Sequence, residues 1–126
     1  MTRSDRLIAA AGALALGMGT AAAAASAHFN DVQDATRLGS ASQMLLVHGL
    51  GLLGLALARS AWPSTRRRLG WVAALLASGL LLFAGSLLLA VAFDTSTALA
   101  PIGGGLMILC WIAASLVFLL ASRSSK

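Results

Sequence analysis

RSAWPSTRRR, residues 59–68, is the stretch on which the fold turns. It carries four of the nine basic residues, with two long uncharged tracts before it and two after it. Pro63 breaks any helix running through it, and Trp62 within it and Trp71 just after it sit at the edges of the loop, where indoles favour a membrane interface. The arrangement reads as two membrane hairpins joined by one basic loop.

Working outward, charge is absent from Leu7 to Ala27, Leu38 to Ala58, Leu69 to Phe93 and Ala98 to Ala121. A helix crosses a bilayer in about 20 residues at roughly 1.5 Å of rise each, and every one of these tracts is long enough. The chain of 126 residues is 59% hydrophobic and 10% charged, against about 25% charged in soluble domains. The spacing predicts an all-α membrane protein, a single transmembrane domain over 1–126 with spans at 7–27, 38–58, 69–93 and 98–121. Four such spans leave no room for a separate soluble domain.

Charge sets the orientation. With four spans, the N-terminus, the 59–68 loop and the C-terminus share one side. That side holds Arg3, Arg6, Arg59, Arg66, Arg67, Arg68, Arg123 and Lys126, and the other holds only Arg37. The positive-inside rule then places both termini in the cytoplasm, and a bacterial inner membrane is the expected location. The net charge of +5 does not point to nucleic acid, because the cations flank apolar spans instead of forming one solvated patch.

The first tract has two readings. A basic start, an apolar stretch and Ala25-Ser26-Ala27 fit a signal peptide with an A-x-A cleavage site. The tract is also long enough to span, and its alanines suit close packing in a bundle. Cleavage after Ala27 would leave three spans in the same orientation, so charge does not decide between them. After it, Asn30-Asp31 reads as a turn, and the second span begins near Leu38 or Gln43. The fourth begins near Pro101, since proline is tolerated in a helix's first turn. Gly49, Gly51, Gly54, Gly85, Ser86, Gly103 and Gly104 are candidate helix-packing positions, because small residues let membrane helices approach. Arg59, Arg66, Arg67 and Arg68 are candidate topology and lipid-headgroup residues.

The order of short motifs resembles the YgdD / transmembrane-protein-256 family, small four-helix membrane proteins of unknown function. Ser26-Ala27-His28 stands where that family has Gly-Ala-His, and His48 precedes an apolar run in the second helix. Phe83-Ala84-Gly85-Ser86 stands for Phe-Ser-Gly-Ser, and Pro101-Ile102-Gly103-Gly104 is followed by Cys110-Trp111, where the family has Gly-Trp. The resemblance covers all four spans. It implies that the first helix is retained, and it implies no activity.

Few residues carry chemistry. His48 falls about 15 Å down a helix begun at Leu38, and an ionisable group at that depth is a functional candidate. The plainer reading is a neutral imidazole bonded across helices to Ser78, Ser86 or Ser115. His28 shares the outer side with Asp31, Asp34 and Asp94, but their spacing matches no metal motif. A haem between His28 and His48 would need two ligands at very different depths. Cys110 is the only cysteine, which excludes an intramolecular disulfide and a cysteine metal cage. Gly103-Gly104-Gly105 lacks the lysine of a phosphate loop, and no nucleophile elbow or triad order is present. The expectation is a non-enzymatic accessory or structural membrane component with no cofactor and no metal. Its partners would be the bilayer and, through glycine-lined faces, other membrane proteins or further copies. The second expectation is a small-solute or proton-coupled transporter subunit centred on His48.

Overall fold

The computed structural model describes residues 1–121 as four helices: α1 (Arg3–Ser26), α2 (Val32–Ala61), α3 (Arg66–Phe93) and α4 (Leu99–Ala121). All four are long and apolar enough to cross a membrane. The spacing of charge-free tracts is thus matched by all-helical architecture, and four apolar helices of this kind mark a membrane protein. Arg123 and Lys126, two of the residues that set the expected orientation, lie outside the described residues.

Two helix starts differ from the sequence expectation. α2 begins at Val32, not at Leu38 or Gln43. Asp31 caps it by accepting from the Asp34 amide at 2.8 Å, Thr36 returns its hydroxyl to the Val32 carbonyl at 2.7 Å, and Arg37 pairs with Asp34 at 3.1 Å. These residues satisfy their polar groups within the helix, so a stretch too polar for hydrocarbon is still helical. α4 begins at Leu99, two residues ahead of Pro101, whose missing N–H costs nothing in a first turn where such groups lack partners anyway. A 3-10 turn at Pro63–Thr65 joins α2 to α3. Asp94 closes α3 in the left-handed region at φ 52°, a conformation that Asp tolerates better than most residues.

α1 packs along α2, α2 against α3, and α3 along α4. Glycine contacts bring the outer pairs together. A Cβ at Gly12 would sit 2.7 Å from the Gly49 carbonyl, and one at Gly49 would sit 2.9 Å from the Gly12 carbonyl. A Cβ at Gly103 would lie 2.5 Å from the Gly79 carbonyl, and one at Gly79 would lie 3.0 Å from the Gly103 carbonyl. At these two points α1 meets α2 and α3 meets α4 backbone to backbone, which only residues without side chains permit. Between them, Leu52, Leu69 and Leu76 are almost wholly enclosed. α4 also reaches α2 through Trp111, whose six-membered ring occupies the space a side chain at Gly51 would fill.

Candidate functional site

The buried polar groups gather in two places. The first is the end of the bundle where α1 and α3 start and α2 stops. Thr2 caps α1: its hydroxyl accepts from the Asp5 amide at 3.3 Å, and the Asp5 carboxylate accepts from the Thr2 amide at 2.8 Å. This reciprocal pair fixes the Asp5 side chain on the first turn. Its other oxygen, Oδ1, accepts from Arg59 Nε at 2.8 Å. Arg59 Nη2 donates to Ser4 Oγ at 2.9 Å, and Nη1 donates to the Arg66 carbonyl at 2.7 Å. Arg66 Nε returns a bond to the Arg59 carbonyl at 3.1 Å, and its Nη2 lies 3.8 Å from Asp5 Oδ2.

Asp5 is fully buried and Arg59 is 6% exposed. Gly70 leaves the room: a Cβ there would collide with Arg59 Nη1. Asp5 precedes the apolar tract that begins at Leu7. The Thr2 amide, and after it the Arg59 guanidinium, hold its carboxyl well below the usual carboxylate range against the opposing effect of burial. The cluster joins three helices by charge-assisted bonds. It has the chemistry of a clamp, since its donors and acceptors are directed at one another.

Arg59 therefore turns inward instead of towards headgroups. Arg67 and Arg68 are exposed, and Arg66 is half-buried. Sequence reasoning missed Asp5, which stands in a short segment dominated by arginine. The available signal was Thr2-x-x-Asp5 ahead of an apolar run, a pattern close to a capping box.

The second place is His48, midway along α2 and 7% exposed. Its Nδ1 lies 2.9 Å from the Met44 carbonyl, so the Nδ1–H tautomer donates within its own helix. The Trp111 ring stands 6.1 Å away at 46°. The expected bond to a serine of another helix is not formed. Ser78, Ser86 and Ser115 return their hydroxyls to Ala74, Phe83 and Ile112 on their own helices, as serines in helices commonly do. The serine that does bond across helices in the body of the bundle is Ser42, whose hydroxyl donates to the Gly19 carbonyl at 2.7 Å.

A family model described as "Protein of unknown function (DUF423)" matches residues 8–104. The chain belongs to the DUF423 family. The match takes in α1 from Ile8, all of α2 and α3, and the opening of α4 with Pro101-Ile102-Gly103-Gly104. Asp5 lies just ahead of the matched residues, and Arg59, Gly70 and His48 lie within them. No curated protein and no solved structure matches the chain.

The glycines expected at helix contacts divide. Gly49, Gly51 and Gly103 meet a neighbouring helix closely, and Gly104 makes ordinary contact with the Phe83 ring. Gly54 and Gly85 face open space. His28 is exposed beyond the end of α1, and among the described residues no three of His, Cys, Asp or Glu are placed to hold a metal ion.

Proposed function

We infer that this DUF423 protein is a non-enzymatic accessory or structural component of a bacterial inner membrane, of the YgdD type, that meets other membrane proteins through its glycines. Its four helices form two hairpins with both termini in the cytoplasm, and residues 1–27 stay on the chain as the first span. The observation that carries this reading is the division of the small residues. Gly12, Gly49, Gly79 and Gly103 are used inside the bundle, whereas Gly17, Gly54 and Gly105 face open space on its outside. Outward glycines on a membrane helix allow another helix to approach closely. The Asp5–Arg59 clamp supports retention of α1, because its loss would leave a buried guanidinium without its carboxylate. Extraction in mild detergent from the native membrane tests the reading. Co-purification of a stoichiometric membrane protein is expected, and a bare monomer would refute it.

A second reading, a transporter subunit centred on His48, draws on one observation. His48 is buried midway along α2, with its Nδ1 held by the Met44 carbonyl of its own helix. Ionisable groups at that depth serve as relays in transporters. His48→Ala should then abolish flux in liposomes while the fold survives. Absence of flux by the wild-type protein across a broad solute panel would remove this reading.

A further inference from the structure

The imidazole buried in the body of the bundle meets an indole. His48 is 7% exposed, and its ring centre lies 6.1 Å from that of Trp111, with the planes at 46°. Trp111 belongs to α4, which packs along α3 and shares no long seam with α2. Its six-membered ring is seated against Gly51, one turn beyond His48, in space that a Cβ would take. The indole is itself 39% exposed, so it stands at the edge of the bundle with room to move. Trp111 thus carries a contact from α4 to the stretch of α2 that holds His48.

What His48 can gain is a proton. Its Nδ1 donates to the Met44 carbonyl at 2.9 Å, and that bond is made by the neutral and the charged ring alike. A proton therefore enters at Nε2. It turns that nitrogen from acceptor into donor and gives the ring one positive charge, while the bond to Met44 stays.

No carboxylate or cation at this depth answers that charge. Around Gly49 and Gly51, α1 presents Gly12 and Leu16, α3 presents Leu76, and α4 presents Trp111. The four apolar tracts contain no Asp, Glu, Lys or Arg. Cys110, beside Trp111 on α4, is the other titratable side chain, and acidification leaves a thiol unchanged. The indole is the group left to respond. A separation of 6.1 Å is the outer reach of the attraction between a cation and an indole, about 6 Å from the ring centre. A charge on His48 therefore pulls the indole inward.

We propose that His48 is a proton-binding site whose occupancy is passed to α4 by Trp111: the imidazolium draws the indole against α2, and the neutral ring releases it. The site rests on His48 taking up a proton, as the transport reading does, but not on flux.

Fluorescence of the full chain in phosphatidylcholine nanodiscs tests this, with W62F/W71F as the background so that Trp111 is the one emitter. From about pH 8 to about pH 5, the range in which histidine changes charge, emission should fall reversibly in a single-proton step, because a charged imidazole quenches an adjacent indole more than a neutral one. His48→Gln in that background should lose the pH response. Gly51→Val should lose it too, with His48 in place, because the indole no longer has its seat. Far-UV circular dichroism confirms that both variants are folded. Emission independent of pH in the background protein overturns the proposal, as does the same response in folded His48→Gln or in folded Gly51→Val. Titrating emission without flux in liposomes keeps the proton site and removes transport. Flux that requires His48, with emission flat, keeps transport and overturns the link to Trp111.

Discussion

Arg59 and Asp5 stand 54 residues apart in the chain and 2.8 Å apart in the fold, both buried. The bond ties the first turn of α1 to the last turn of α2, and through the Arg66 carbonyl to the first turn of α3. Removing one partner of such a pair strands the other charge, whereas replacing both with apolar groups is far milder.

Asp5→Ala is accordingly expected to lower the thermal unfolding midpoint in detergent by several degrees, and Arg59→Met should do the same. The double variant should be more stable than the two effects added together. Gly70→Ala should resemble Arg59→Met, since its Cβ displaces the guanidinium. Strict additivity of Asp5→Ala and Arg59→Met would show that the two residues do not interact.

Gly12→Val is expected to destabilise the bundle by about 1–3 kcal/mol, because the added atoms overpack the point where α1 meets Gly49. Gly54→Ala, facing open space, should change stability by less than about 0.5 kcal/mol. Unfolding of the two variants in matched detergent checks the contrast, and equal effects would contradict the packing.

Ser42→Ala should cost about 0.6 kcal/mol, the usual worth of a hydrogen bond between membrane helices, by removing the link to Gly19. Ser78→Ala and Ser115→Ala should cost almost nothing, since each bonds only to its own helix. A larger effect at Ser78 or Ser115 than at Ser42 would mean that the interhelical contact lies elsewhere.

His48→Gln should leave stability nearly unchanged, because Nδ1 bonds only to Met44 of the same helix. Gly51→Val is the informative neighbour: it should push the Trp111 ring out of its seat and shift indole fluorescence. An unchanged emission spectrum would contradict the contact between α2 and α4.

The helices themselves were legible because charge is excluded from four tracts of sufficient length. Their ends were less so: Asp31, Asp34, Thr36 and Arg37 look like a loop by polarity, yet each satisfies its polar group locally in a helix. The clamp was hidden for a different reason. Asp5 sits among arginines, and nothing in a linear reading joins it to Arg59. Which glycines face inward was equally obscure, since spans that are apolar on every side give no periodic contrast between core and lipid faces. Gly49 and Gly54 look alike in sequence, but one touches Gly12 and the other touches nothing. The serines misled for the same reason: Ser42 crosses to another helix, whereas Ser78, Ser86 and Ser115 bond within their own.

We propose that α1 is a permanent member of the bundle. The direct measurement is the intact mass of the protein extracted from its own membrane with an untagged N-terminus. The expected result is a subunit that still carries Asp5, Gly12 and Gly19, the α1 partners of Arg59, Gly49 and Ser42. A subunit beginning at His28 would contradict the claim, leaving Arg59 without its carboxylate and the α1-facing side of α2 bare.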